Sequence, residues 1–147
     1  MEHLKKNNVT LTTAESCTGG MISACITDIS GSSAIFDRSF ITYSNEAKIE
    51  LIGVNYETLK QYGAVSEKTA IEMAEGALKN SNATLSIAIT GVAGPGASAG
   101  KPQGLVYIAI SFNGTTRVVK NKFQHDRNAV RTATTKKALQ MIIDIFK

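Results

Sequence analysis

A chain of 147 residues, 43% hydrophobic and 19% charged, has the balance of an ordinary globular domain, which excludes the disordered, fibrous and collagen-like classes. At this length roughly 68–70% of the unfolded chain's surface leaves water on folding, so one domain spanning residues 1–147 is expected to hold a core without disulfide or metal staples. The net charge of +4 comes partly from Arg117, Lys120, Lys122, Arg127, Arg131, Lys136, Lys137 and Lys147; with no regular aromatic-basic interleaving and no nucleic-acid motif beside it, a solvated face with one or two cations for a phosphorylated small molecule is favoured over a nucleic-acid surface.

The opening Met1-Glu2-His3-Leu4-Lys5-Lys6-Asn7-Asn8 is too polar for the apolar region of a signal peptide, and no apolar run approaches the ~20 residues a membrane crossing takes, so a cytoplasmic protein without membrane attachment is expected. A short helix over about 4–7 leads into a strand over 9–14, rich in β-branched residues. Gly19-Gly20 opens a helix over about 20–28, with Met21, Ala24, Cys25 and Ile29 at helical spacing. Ser30-Gly31-Ser32-Ser33 is a turn, and 35–44, with Phe36, Phe40, Ile41 and Tyr43, is a strand. Asn45 is placed as the N-cap of a helix running to about Leu51 and ended by Gly53. Asn55 caps a helix over 56–62 that stops at Gly63, and Ser66 caps a longer one reaching about Lys79, with Ala70, Met73, Ala74, Ala77 and Leu78 as its apolar stripe.

Residues 83–90 form an apolar strand, and a glycine-rich loop from Gly91 to Gly104 separates it from a strand over 105–112. Asn113-Gly114 is the strongest hairpin signal in the chain, so a strand over 115–123 returns antiparallel to it. A final helix over about 127–146 completes the series. Helices and strands alternating in this way predict a three-layer α/β/α fold with a mixed sheet including an antiparallel hairpin.

Two polar segments, Thr13-Ala14-Glu15-Ser16-Cys17-Thr18-Gly19-Gly20 and Thr90-Gly91-Val92-Ala93-Gly94-Pro95-Gly96, follow apolar strands and read as the rims of one pocket. Ser16, between a strand end and a helix N-terminus, is placed as a nucleophile beside backbone N–H groups that favour a developing oxyanion. It is also a plausible helix-capping hydroxyl. Serine needs a base. There is no Gly-x-Ser-x-Gly elbow, which leaves His125 or a lysine kept neutral by burial; Lys48, in the first turn of a helix that starts where a strand ends, is the better placed. A solvated helix lysine is the competing reading of Lys48. Cys17 is either an alternative nucleophile or core. Cys17 and Cys25 match neither a disulfide scaffold nor a zinc pattern, and with only two histidines, His3 and His125, no metal is expected.

The Ser16 segment, Ser39-Phe40-Ile41-Thr42-Tyr43-Ser44-Asn45-Glu46-Ala47-Lys48, the Gly63-Ala64-Val65-Ser66 turn and the Thr90 segment occur in order, and together they resemble the C-terminal domain of the competence/damage-inducible protein CinA over essentially the whole chain. That family includes stand-alone nicotinamide-nucleotide amidases. The resemblance implies hydrolysis of the carboxamide of nicotinamide mononucleotide to nicotinate mononucleotide and ammonia, without cofactor or metal, by a serine/lysine pair. It makes Ser16 the nucleophile and Lys48 the base, with Tyr43 and Thr90 beside them. Cys17, Gly19, Gly20, Asn45, Gly91, Gly94 and Gly96 would meet the substrate, and Arg131, with Arg127 second, its phosphate. It also implies a homodimer. Two places depart from the family pattern: the loop Gly96-Ala97-Ser98-Ala99-Gly100-Lys101-Pro102 has fewer consecutive glycines, and His125 stands where a glycine is usual before Asp126-Arg127. A non-catalytic nucleotide-binding module, or an interaction domain linked to competence or DNA damage, are the rival functions.

Overall fold

The computed structural model describes residues 2–147. The elements in chain order are α1 (Glu2–Lys6), β1 (Leu11–Glu15), α2 (Met21–Thr27), β2 (Phe36–Ile41), α3 (Asn45–Ile52), α4 (Tyr56–Tyr62), α5 (Glu67–Lys79), β3 (Leu85–Gly91), β4 (Leu105–Phe112), β5 (Thr115–Lys122) and α6 (Arg127–Asp144), with a single 3-10 turn at Ser32–Ala34. The sheet runs β2-β1-β3-β4-β5. The first three strands are mutually parallel, and β4 and β5 are added antiparallel. This is the expected mixed sheet of a three-layer α/β/α fold.

Period-two alternation in the central strands builds a different core on each face. Leu85, Ile87 and Ile89 of β3 and Val106, Ile108 and Ile110 of β4 pack with Ile22, Ile26, Val130, Ala138 and Ile142 of α2 and α6. On the other face Ala88 and Ala109 meet Ala70, Met73, Ala74 and Ala77 of α5. The small residues on that side let α5 lie close to the sheet, and Ser86 Oγ donates to the Ala74 carbonyl at 2.7 Å. Gly76 permits a second close approach: a Cβ there would run into the carbonyl of Ile52 at the end of α3.

Local signals fixed most boundaries. Asn113 and Gly114 have φ of 50° and 74°, the paired left-handed residues of a two-residue hairpin turn, and Phe112 faces Thr115 across it. Asn55 and Ser66 cap α4 and α5 through the N–H groups of Glu57 and Thr69. The N-cap of α3 is Ser44, not Asn45: the Ser44 side chain accepts from Ala47 N–H, and Asn45 is the first helical residue. The strand β2 also stops at Ile41, three residues before the expected end. The backbone of Thr42–Ser44 leaves the sheet there and turns its carbonyls towards Lys48.

Candidate active site

The site lies where β1 and β3 end, at the carboxyl edge of the parallel strands, where open α/β sheets place their ligand crevices. A cleft of about 310 Å³ opens there, lined by Ser16, Cys17, Tyr43, Lys48, Ala64, Val65, Thr90, the segment 91–98 and Arg127. Its size is at the small end of the range for small-molecule sites.

Alternation along β1 decides what enters the cleft. Leu11 and Glu15 face the α2 side, and Ser16 leaves the strand on the other side with its N–H held by the Ile89 carbonyl at 3.1 Å. Lys48 approaches from α3. Long helical side chains point back towards the N-terminus of their helix, so its stem folds over the first turn and its ammonium reaches the carbonyls that precede the helix. Nζ lies 2.7 Å from Thr42 O, 3.4 Å from Tyr43 O, 3.5 Å from Ser44 O and 3.1 Å from Ser16 Oγ.

Lys48 is only 1% exposed, and among the described residues no carboxylate lies within ion-pair distance of it. Burial therefore penalises the charged form and lowers its pKa to about 8. A buried amine that loses its proton near neutrality, in contact with a hydroxyl, can act as a general base. The neighbouring thiol is tuned the other way: burial pushes Cys17 up to about 11, against the smaller opposing effects of its own backbone N–H and of Arg131. Cys17 thus stays a thiol at neutral pH.

The pattern of the CinA C-terminal domain matches residues 1–146. This chain belongs to that family. It is 52% identical to the nicotinamide-nucleotide amidohydrolase PncC of Escherichia coli K12, over 97% of this chain and 88% of that one. It spans about a third of longer relatives such as the CinA-like protein of Kosmotoga olearia, at 46% identity over 95% of this chain and 34% of that protein. Among solved structures, the competence/damage inducible protein CihA of Agrobacterium tumefaciens is similar at 44% identity and a TM-score of 0.95, covering 99% of this chain and 90% of that one. A CinA-superfamily protein of Escherichia coli gives 34% identity and a TM-score of 0.96, covering 98% and 84%.

In this CinA-family chain the residues picked out from the sequence fall into two groups. Ser16, Cys17, Tyr43, Lys48, Thr90, Gly91, Gly94, Gly96 and Arg127 line the cleft; Gly19, Gly20, Asn45 and Arg131 do not. Thr90 Oγ1 donates to Ala64 O at 2.6 Å and so straps the Gly63–Ser66 turn to β3 as a cleft wall. Arg127 donates from Nη1 to Gly94 O at 2.6 Å and from Nη2 to the Tyr43 hydroxyl at 3.3 Å. Arg131 turns away from the opening, and its Nε and Nη2 donate to the carbonyls of Cys17 and Thr18, both at 3.1 Å. It clamps the turn that follows Ser16 from behind.

Sequence reasoning passed over Glu15. Its carboxylate is fully buried and accepts N–H from Gly20 at 3.2 Å, Ile22 at 3.0 Å and Ser23 at 3.0 Å, and the Thr13 hydroxyl at 3.3 Å. The positive end of α2, next to the Gly19-Gly20 pair, is filled by the protein's own carboxylate. Capping boxes run backwards from the third helical residue; a carboxylate reaching forward from a strand end has no such local signature. Ala64, Val65 and the Thr42 carbonyl gave no chemical signal in the sequence, since their roles come from backbone position and shape.

Proposed function

We propose that this chain hydrolyses the carboxamide of nicotinamide mononucleotide to nicotinate mononucleotide and ammonia, with Ser16 as nucleophile and Lys48 as base. The observation that carries this reading is the 3.1 Å contact between Lys48 Nζ and Ser16 Oγ beside the Thr42 carbonyl, with no carboxylate in ion-pair distance among the described residues. The 52% identity to PncC of Escherichia coli supports the substrate.

In the reaction, neutral Lys48 takes the Ser16 proton as Oγ attacks the amide carbon, forming a tetrahedral oxyanion. The resulting ammonium hands that proton to the departing nitrogen, which leaves as ammonia while the acyl group stays on Ser16 as an ester. Lys48 then takes a proton from water as its oxygen attacks the ester, and returns it to Ser16 Oγ as nicotinate mononucleotide leaves. Two N–H bonds of the neutral amine remain on the carbonyls of Thr42 and Tyr43, which aims its lone pair at Ser16. Thr90 and Tyr43 shape the cleft through Ala64 and Arg127, and Arg127, whose planar fork suits two phosphate oxygens, meets the 5′-phosphate.

The test is ammonia release from nicotinamide mononucleotide by the purified protein, reduced at least about 10³-fold in Ser16→Ala and in Lys48→Ala. Tight nucleotide binding with no release, in the parent protein, would replace the enzyme with a binding module. The reading includes a homodimer, for which Ile41, Tyr43, Leu51 and Tyr56, between 42% and 62% exposed, offer apolar side chains; sedimentation equilibrium checks it. It also places the protein in the cytoplasm, in keeping with the finding that no described helix is long and apolar enough to cross a membrane.

A further inference from the structure

The loop after Pro95 and His125 are joined by one side chain. Gln103 Oε1 accepts the Gly96 N–H at 2.7 Å, and its Nε2 donates to the His125 carbonyl at 2.8 Å. The Gln103 stem also lies against Gly94, where an added Cβ would collide with it. Gly94 is the residue whose carbonyl receives Arg127 Nη1 at 2.6 Å. His125, two positions before Arg127, has φ of 76°, a left-handed conformation uncommon for a non-glycine residue.

We propose that Gln103 is a positioning residue that sets where Arg127 stands at the cleft rim, and thereby how tightly the chain holds a phosphorylated substrate. The inference rests on the reading that Arg127 meets the phosphate. Arginine grips phosphate through two parallel N–H groups only when its plane is aimed; Gln103 packs over the Cα of Gly94, whose carbonyl meets that plane, and holds the backbone that enters α6. A primary amide suits this span because it accepts at one end and donates at the other. An ionised glutamate cannot donate to His125, and asparagine is shorter by one methylene.

The experiment compares the parent protein with Gln103→Met, Arg127→Ala and the double variant, reading KM and kcat for nicotinamide mononucleotide. Methionine keeps the length and packing of Gln103 and removes both hydrogen bonds. The expected result is a KM raised about three- to tenfold in Gln103→Met, in line with the net worth of such bonds, with kcat within about twofold. On the Arg127→Ala background the same substitution adds nothing, because its effect passes through the arginine. Gln103→Glu, which keeps the bond from Gly96 and loses the one to His125, also raises KM. A kcat that falls in step with kcat/KM, or the full factor appearing again on the Arg127→Ala background, would assign Gln103 a general structural role and overturn the proposal. So would an unchanged KM in Gln103→Met beside a raised KM in Arg127→Ala. An unchanged KM in Arg127→Ala would instead remove the phosphate reading on which the inference stands.

Discussion

Lys48 Nζ and Ser16 Oγ sit 3.1 Å apart although 32 residues separate them in the chain. The lysine is held there by carbonyl dipoles rather than by a carboxylate, which leaves burial free to depress its pKa to about 8. In a Lys-Glu ion pair the opposite shift would have kept the amine charged and useless as a base.

The pH dependence of kcat/KM follows from this. Only the neutral amine can take the Ser16 proton, so the rate rises with pH through an apparent pKa near 8 and levels off above it. Between pH 7 and pH 9 the expected gain is about tenfold. A profile flat across that interval contradicts Lys48 as the base.

Lys48→Met should abolish turnover and stabilise the fold. The folded pKa of about 8 lies below the lysine reference value of ~10.4, so between these values the unfolded chain binds more protons than the folded one. Stability of the parent therefore rises as pH increases from about 8 to about 10.4, and near pH 7 the buried ammonium is a net cost. Methionine removes that cost, about 3 kcal/mol at pH 7, but takes the donor from the Thr42 carbonyl, which costs about 1–2 kcal/mol, for a net gain of about 1–2 kcal/mol. Thermal denaturation of the two proteins from pH 7 to pH 10 checks both the gain and its disappearance as the parent lysine discharges.

Glu15→Gln tests the internal cap of α2. The amide can still accept the N–H groups of Gly20 and Ile22 through one oxygen, but it presents a donor to the Ser23 N–H that the second carboxylate oxygen now accepts. Loss of the charge facing the helix dipole and one clash of donors should cost about 2–4 kcal/mol, measured by urea denaturation. An unchanged midpoint would show that the carboxylate contributes nothing to holding the Ser16 turn.

The two arginines should separate kinetically. Arg127→Ala removes a group in the cleft and should raise KM for nicotinamide mononucleotide by about tenfold or more with a smaller change in kcat. Arg131→Met leaves the Cys17 carbonyl without its donor and the Thr18 carbonyl with the Met21 N–H alone, so it should lower stability by about 1–2 kcal/mol and reduce kcat by loosening the turn that carries Ser16. Steady-state kinetics with thermal melts on both variants distinguishes the roles; a KM effect confined to Arg131→Met would reverse them.

Elements whose cause is local were legible in the sequence. Asn113-Gly114, the caps Asn55 and Ser66, and the helical stripe of α5 each depend on residues within a turn or two of one another, and the structure has them where the sequence put them. The cap of α3 slipped by one residue because Ser44 and Asn45 are both good capping types, and only the direction of the chain leaving β2 chooses between them. The cleft was harder to read. Arg131 and Arg127 look alike in sequence, yet four residues on a helix place them just over one turn apart, and the carbonyls of Cys17 and Thr18 claim Arg131 while Arg127 stays at the opening. Glu15 looked like one more charged residue until the folding of α2 onto β1 buried it.

The sequence by itself determined the order of strands and helices, the mixed α/β class and the CinA-family motifs, because propensity, capping and hydrophobic period act between near neighbours in the chain. The tertiary structure alone decided that Lys48 is buried with no carboxylate in ion-pair distance among the described residues, that the α2 N-terminus belongs to Glu15, and that Gln103 joins Gly96 to the His125 carbonyl. Those outcomes depend on desolvation and hydrogen-bond geometry between segments far apart in the chain, and such terms take values only when the sheet and both helical layers have closed around them.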